Sequence, residues 1–308
     1  MQRNITIVSA FFDIGRGKIA DSSLTRSNMD YLSYFEFWAR IRNKTIIYTE
    51  PKFVNEITKT RAKYGLQEQT IVIPVEDVYS IEQDLYEKMK KISQRKEFSK
   101  YRYYTDAMSN RANYDYIMLM KYWCIMDAEQ RGYITDMAAW VDFGFNHGGD
   151  CYVKPEEFDF NWEYPFEEKI QYFALKDPER ELGIRNLQLQ TDCIMGCLLL
   201  VPKKYCKQFW DMIVDAMKSL LILDCIDDDQ QLLLMAYRMK PELFEVHISD
   251  WFMGIKECGG EHLTTKEKNI PNPGVINQVK KKICKLLWRT PSRRFAKRIL
   301  EQTEEFYK

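Results

Sequence analysis

The sequence predicts an α/β fold with a mostly parallel central sheet flanked by helices. Apolar runs of strand length alternate with helical patterns along the first half of the chain. The first run, at residues 5–12, is apolar at nearly every position, which is typical of a strand covered on both faces. Composition agrees with this class, since 45% hydrophobic and 29% charged residues are ordinary for a globular domain.

The first elements follow one another as strand, helix, strand, helix and strand. The strands are predicted at 5–12, 45–48 and 70–73, and the helices between them at 28–42 and 51–64. Parallel strands need crossover connections of this length, which are usually helical. This part of the chain therefore predicts three neighbouring parallel strands.

The remaining elements are predicted from the same two periodicities. Residues 150–190 are rich in aromatic side chains and are predicted to be irregular. The other predicted helices lie at 80–113, 114–131, 203–223 and 227–239, and the other strands at 138–142, 193–201 and 244–248.

The chain is predicted to divide into residues 1–255 as the main domain, 256–274 as a polar linker and 275–308 as a basic amphipathic tail. Residues 275–300 contain nine Lys or Arg and no acid. Apolar residues are interleaved with these cations, namely Val279, Ile283, Leu286, Leu287, Trp288, Phe295 and Ile299. Such a segment is predicted to bind an anionic membrane surface. Nucleic acid is not a predicted partner, because the rest of the chain is acidic overall.

The expected location is the cytoplasm. No apolar run approaches the roughly 20 residues of a membrane-spanning helix. Residues 5–12 are followed at once by Asp13 and Arg16, so they are interpreted as a buried strand and not as a secretion signal. The eight Cys include no C-x-x-C pair, which is typical of reduced, scattered thiols.

Asp142 is the sharpest candidate for chemistry. It ends a predicted apolar strand and is followed by Phe143 and Gly144. Ligands of open α/β sheets bind beyond the carboxyl ends of the strands, where a carboxylate can ligate Mg²⁺ or Mn²⁺. Capping of the next turn explains the same residue, and both interpretations stay open at this point.

Three consecutive acids, Asp227 to Asp229, open the helix predicted over residues 227–239. One Asp is enough to cap a helix, and its charge also suits the helix N-terminus. Mutual repulsion among three acids raises the proton affinity of at least one, as a general base requires. Capping and catalysis are therefore the two hypotheses for this cluster.

Cations and histidines supply the remaining candidates. Arg16 and Lys121 could neutralise a diphosphate, although the loop at 13–18 matches neither the P-loop nor the dinucleotide fingerprint. His147, His247 and His262 are isolated in sequence, and an isolated His is more often structural than a ligand. Only a metal near Asp142 would give His147 or His247 a role.

Taken together, these motifs resemble the HtrL/YibB-like family of bacterial proteins. The resemblance covers about residues 4–255 and rests on residues 6–16, Tyr48-Thr-Glu50, Lys121, Trp140-Val-Asp-Phe-Gly144 and Asp228-Asp-Gln230. It implies a GT-A-like fold and a nucleotide-sugar glycosyltransferase associated with lipopolysaccharide and capsule assembly. The chain departs from the GT-A pattern at Trp140, since most GT-A enzymes carry Asp-x-Asp here. The acid that binds the nucleotide ribose in that pattern is therefore missing at this position or supplied elsewhere.

The resemblance also implies roles for individual residues. Asp142 and His247 would ligate Mn²⁺ or Mg²⁺. Asp228 or Asp229 would be the general base of an inverting reaction. The remaining donor-binding residues would be Arg16, Lys121, Gly144 and Gly196.

The expected reaction moves a hexose, with galactofuranose as one candidate, from a UDP-sugar to a glycan or lipid-linked acceptor. The expected acceptors belong to surface polysaccharide or lipopolysaccharide, at the inner face of the inner membrane. Two other classes stay open. One is a metal-dependent phosphotransferase or hydrolase that uses Asp142 with residues 227–229. The other is a non-catalytic, membrane-associated assembly protein.

Overall fold

The structure is a computed structural model that describes residues 2–18, 25–95, 97–102 and 111–266. Within these residues the chain forms a central sheet with helices on both faces. The strands are β1 (Arg3–Phe11), β2 (Thr45–Thr49), β3 (Thr70–Pro74), β4 (Met137–Val141), β5 (Glu163–Tyr164), β6 (Ile170–Ala174), β7 (Ile194–Pro202) and β8 (Phe244–Ile248). The α-helices are α1 (Asn28–Trp38), α2 (Val54–Ala62), α3 (Gln83–Ser93), α4 (Ala112–Gln130), α5 (Gly183–Leu189), α6 (Cys206–Ile222), α7 (Asp229–Met239) and α8 (Gly254–Glu257).

The strand order is β3-β2-β1-β4-β7-β6-β8, with β5 paired antiparallel to the start of β1. β1 pairs in parallel with β2 and β4, β2 with β3, and β6 with β8. β7 runs antiparallel to both of its neighbours, β4 and β6. The predicted mostly parallel sheet flanked by helices is therefore confirmed.

Two apolar clusters cover the two faces of this sheet. Trp140 of β4 belongs to the cluster that includes buried residues of α3, α4, α6 and α7. Ala139 and Val141 of the same strand belong to the other cluster, with buried residues of α1 and α2. Every residue of β7 is buried, as is every residue of β4. Burial on both faces explains why these strands are apolar at nearly every position.

The segment at 150–190, predicted to be irregular, contains β5, β6 and α5. β6 is five residues long and carries a buried polar residue, Gln171, at its second position. The side-chain amide of Gln171 donates to the backbone oxygens of Glu167 and Lys169. These two local bonds satisfy the buried amide nitrogen. A short strand with a polar residue gives neither a long apolar run nor a strict alternation, so the sequence pattern misses it.

Residues 256–266 were predicted as linker but pack against the main domain. Cys258 and Leu263 are buried, and the Trp162 indole N–H donates to the Cys258 carbonyl oxygen at 2.6 Å. The chain divides into one compact unit, Met1–Lys266, and a second, Glu267–Lys308. The rest of the predicted linker and the predicted tail at 275–308 lie outside the described residues. Among the residues that are described, no helix is both long enough and apolar enough to cross a membrane.

Candidate functional site

A cleft of about 530 Å³ lies beyond the carboxyl ends of β1 and β4. β2 and β3 lie on one side of β1, and β4 lies on the other side. The chain therefore reverses its direction of strand addition between β1 and β4, which is the switch point where α/β sheets bind ligands. The cleft is lined by Asp13 after β1, Asp142 after β4, Gly196 near the start of β7, and Asp228 at the start of α7.

The Lys121 ammonium lies at the floor of this cleft. It is 2.9 Å from Asp142 Oδ1 and 2.6 Å from Asp229 Oδ2. It also donates to the Gly196 carbonyl oxygen at 3.2 Å and lies 5.8 Å from the centre of the Trp140 ring. The sequence predicted Lys121 as a cation that could neutralise a diphosphate, and the structure places its ammonium between two carboxylates.

The charge state of Lys121 follows from these neighbours. Burial alone would lower the pKa of Lys121, but Asp142 and Asp229 outweigh it, and the pKa is raised. Burial raises the pKa of Asp229, while Lys121 acts to lower it. The side chains of Lys121 and Asp229 are buried and that of Asp142 is 32% exposed, so removing the ammonium would leave one buried and one partly exposed carboxylate uncompensated.

Asp142 is held by groups on three strands. The Ser9 hydroxyl of β1 donates to the Val141 carbonyl oxygen at 2.7 Å, and the Asp142 backbone N–H donates to the Cys197 oxygen at 3.0 Å. The Trp140 indole N–H donates to Asp142 Oδ1 at 2.6 Å. The carboxylate thus faces Lys121 and Trp140, and the turn that follows begins at Gly144 without a side-chain cap.

The three consecutive acids have three different environments. Asp227 is buried and pairs with Arg102 at 3.0 Å. Asp228 is the N-cap of α7, and its Oδ1 accepts from the backbone N–H of Gln230 at 3.2 Å. Asp229 pairs with Lys121. Two of the acids are therefore engaged by buried cations, and Asp228 combines a capping bond with a place in the cleft wall.

Asp228 has the electrostatics of a proton acceptor. Burial raises its pKa well above the ordinary value, and the charges of Asp227 and Asp229 add to this. The Gln230 backbone N–H and the Arg102 cation act in the opposite direction. A carboxylate with raised proton affinity is a better general base near neutral pH than an ordinary Asp.

Arg16 and Gly144 both contact Tyr31 in the cleft lining. Arg16 Nη1 donates to the Tyr31 hydroxyl at 2.6 Å, and all three residues line the cleft. A Cβ on Gly144 would lie 3.0 Å from Tyr31 Cε1, so the glycine allows the turn to approach this ring closely. The predicted donor-binding residues Arg16, Lys121, Asp142, Gly144 and Gly196 thus all line one cleft.

The structure does not bring His247 to Asp142. His247 Nε2 lies 2.8 Å from Gln171 Oε1, and the imidazole stacks on Phe173, on the sheet face opposite Trp140. β7 and β6 separate its strand from β4. His147 does line the cleft, and burial lowers its pKa.

Four carboxylates line the cleft, and Asp142 is the one that the motifs assign to a divalent ion. The described parts of the chain contain no group of three or more His, Cys, Asp or Glu side chains that could hold a metal. At Asp142, both side-chain contacts fall on Oδ1. Mg²⁺ is commonly held by one or two carboxylates together with substrate phosphates. Asp142 therefore fits an ion that is shared with a phosphate ligand, and the described residues do not form a cage for a resident one.

Sequence reasoning missed an aromatic wall of the cleft. Trp251 and Phe252 follow β8, line the cleft and come from the same edge of the sheet as Asp142. Trp251 is 37% exposed, and Phe252 has a left-handed backbone with φ of 66°. The available signal was the position just after a predicted strand, the same signal that identified Asp142.

The chain matches the family model described as "Bacterial protein of unknown function (HtrL_YibB)" over residues 3–257. It is 27% identical over 269 residues to "Protein HtrL" of Escherichia coli (strain K12). The aligned region covers 82% of this chain and 91% of that protein. The chain is also similar to the structure of mouse Xyloside xylosyltransferase 1 in the apo form, with a TM-score of 0.39 and 13% identity over 81% of this chain and 89% of that one. Since the family model spans most of the chain, the chain belongs to the HtrL_YibB family of bacterial proteins.

Proposed function

We propose that this protein is a glycosyltransferase that moves a sugar from a UDP-sugar to a glycan or lipid-linked acceptor, with inversion. The observation that carries the proposal is the row of Asp142, Lys121 and Asp229 at the floor of the switch-point cleft, with Asp228 in its wall. The resemblance of the surrounding motifs to the HtrL/YibB-like family, which implies a GT-A-like fold, supports the same conclusion.

The cleft suits a nucleotide sugar in size and lining. Its volume of about 530 Å³ falls within the range of small-molecule sites. Arg16 and Arg26 line it and would bind the diphosphate through charge-assisted hydrogen bonds. Tyr31 and Trp251 line it as well and would pack against the planar base or an apolar sugar face.

Asp142 would hold a divalent ion through Oδ2, because Oδ1 is engaged by Trp140 and Lys121. When bound, Mn²⁺ or Mg²⁺ would offset the negative charge on the departing diphosphate. Lys121 balances the charges of Asp142 and Asp229 in the floor of the cleft and keeps both carboxylates in place.

Asp228 is the proposed base. The acceptor oxygen forms a bond to the anomeric carbon of the donor, and the bond from that carbon to the diphosphate oxygen breaks. The bonding electron pair leaves with the diphosphate, and the proton of the acceptor hydroxyl passes to Asp228. Asp229 is less suited to this step, because Lys121 holds its carboxylate at 2.6 Å.

Nucleotide-sugar hydrolysis tests the proposal, because water can replace an unknown acceptor. The purified full chain is incubated with UDP-hexoses, including UDP-galactofuranose, and with GDP- and dTDP-sugars, with and without Mn²⁺. We expect slow hydrolysis of one UDP-sugar, and loss of this activity in Asp142→Asn.

Two results would contradict the proposal, and a third would contradict the role of Asp142. Release of phosphate from a simple phosphate ester would favour a phosphotransferase or hydrolase. Binding of no nucleotide sugar at all would favour a non-catalytic assembly protein. Hydrolysis of the nucleotide sugar by Asp142→Asn at the wild-type rate in saturating Mn²⁺ would show that Asp142 does not take part in the reaction.

A further inference from the structure

A small polar recess adjoins the cleft at the amino end of α7. It has a volume of about 30 Å³ and lies between α5, the turn at 190–193 and the start of α7. Asp228 and Gln230 line both the recess and the cleft. The recess exceeds the roughly 10–15 Å³ that one water molecule needs, and it is far too small for a sugar ring.

Two buried polar atoms in this lining have no hydrogen-bond partner within the described parts of the chain. They are Asn186 Nδ2, a donor, and Gln230 Oε1, an acceptor. Asn186 is only 5% exposed, and its Oδ1 accepts from the Thr191 hydroxyl at 2.8 Å, which fixes the orientation of the amide. Buried polar groups are nearly always satisfied by protein, ordered water or ligand, so an unpaired donor and an unpaired acceptor on two residues of this lining indicate that the recess takes a polar group.

We propose that the recess is a subsite for one hydroxyl group of the acceptor sugar. A hydroxyl accepts one hydrogen bond and donates another, so a single group satisfies both Asn186 Nδ2 and Gln230 Oε1. This inference rests on the proposed transferase function and assigns Asn186 and Gln230 to acceptor specificity.

The position of the recess favours the acceptor over the donor. The cations Arg16, Arg26 and Lys121, which would face the diphosphate, line the cleft and are absent from the described lining of the recess. The recess instead borders Asp228, the proposed base. A hydroxyl bound here would place its neighbour on the same ring next to the group that takes its proton.

The test measures the coupling between one sugar hydroxyl and Gln230. Methyl glycosides of glucose, galactose and mannose are titrated into the full chain, and binding is followed by ligand-observed NMR. Monodeoxy analogues of the glycoside that binds best are then compared with their parent. We expect one deoxy analogue to bind about tenfold more weakly to the wild type, because the loss of its hydroxyl leaves buried groups unpaired.

Gln230→Met removes the acceptor atom at similar volume and keeps the backbone N–H that bonds Asp228. In this variant we expect the parent and that deoxy analogue to bind within about twofold of each other, since the hydroxyl has lost its partner. Asn186→Leu should reduce the discrimination in the same way. Gln67→Met makes the same exchange at an exposed position outside both cavities and should keep the tenfold difference.

The recess proposal and the transferase proposal can fail separately. Equal discrimination by the wild type and Gln230→Met, or no glycoside binding at 100 mM, would overturn the subsite. The acceptor subsite would also be overturned if Gln230→Met bound the UDP-sugar more weakly but still discriminated between the parent glycoside and its deoxy analogue. That result would assign the recess to the donor. Coupled glycoside binding without hydrolysis of any nucleotide sugar would keep the subsite as a carbohydrate site and contradict the transferase.

Discussion

Asp229 occupies the space that a side chain on Gly196 would need, because a Cβ at Gly196 would lie 2.0 Å from Asp229 Oδ2. β7 is buried at every position and cannot move aside without disturbing the sheet. The carboxylate thus packs directly on the backbone of β7. Gly196 is required by this close approach, and its role in donor binding remains a prediction.

Gly196→Ala is therefore expected to displace Asp229 from Lys121. Overpacking of this kind costs about 1–3 kcal/mol of unfolding free energy, which urea denaturation measures. Nucleotide-sugar hydrolysis should fall with it. Gly183→Ala is the control, because its Cβ would make an ordinary 3.6 Å contact with Gln231 Nε2. Wild-type stability in Gly196→Ala would contradict the packing described for Asp229.

Lys121→Met should destabilise the domain by about 3–5 kcal/mol, since it leaves Asp142 and Asp229 without their shared cation. Without the ammonium, the folded state disfavours ionised carboxylates, so the loss should be larger at pH 8 than at pH 4. Addition of Asp229→Asn should recover part of the stability, because one unpaired charge is removed. A loss of the same size at both pH values would show that packing, and not charge, explains the effect.

Asp228→Asn should separate stability from activity. The raised pKa of Asp228 means that its charged form is disfavoured in the folded protein. Asp228 therefore contributes stability below its unfolded pKa, and this contribution is lost as pH rises through the folded value. Asn keeps the capping oxygen and carries no charge, so we expect a higher Tm than wild type at pH 8 and no difference at pH 3.

The same variant should hydrolyse the donor about 10²–10⁴-fold more slowly, the usual effect of losing a general base. Wild-type turnover should rise with pH as Asp228 loses its proton. Asp228→Ala is the structural control, because it removes the cap and costs about 0.5–2 kcal/mol. Near-normal turnover in Asp228→Asn would assign the residue to capping alone and favour a retaining mechanism.

The basic segment at 275–300 should bind anionic vesicles. Each surface cation contributes about 1 kcal/mol, so replacing Lys280, Lys281 and Lys282 with Gln should weaken binding by about a hundredfold. Co-sedimentation of the full chain with anionic and with neutral vesicles measures this. Binding that persists unchanged in 1 M salt, or that is equal for both vesicle types, would rule out electrostatic attachment.

The sequence was most informative where strands are buried on both faces. β1, β4 and β7 consist mostly of apolar residues, so the pattern identified them and located Asp142 at a strand end. β6 and α5 were missed because polar residues interrupt them and they lie in a segment of mixed polarity. Residues 256–266 were misread as linker, because their burial depends on contacts with distant residues such as Trp162.

The Lys121 cluster could not be predicted from local pattern. Two of its partners lie 75 and 108 residues further along the chain, at Gly196 and Asp229. The sequence therefore indicated only that Lys121 could neutralise a diphosphate. His247 illustrates the converse limit, because the resemblance implied a metal ligand beside Asp142 while its side chain belongs to the opposite sheet face. The face of a strand is set by register, which one sequence does not specify.

The separation between Lys121 and Asp229 along the chain also determines when the cluster can form during protein synthesis. A ribosome adds about 5–20 residues per second, so a gap of 108 residues delays Asp229 by roughly 5–20 s after Lys121. Until then a nascent chain can offer the Lys121 ammonium only one of its two carboxylates. The floor of the cleft should accordingly be among the last regions to become resistant to protease in chains stalled at successive lengths.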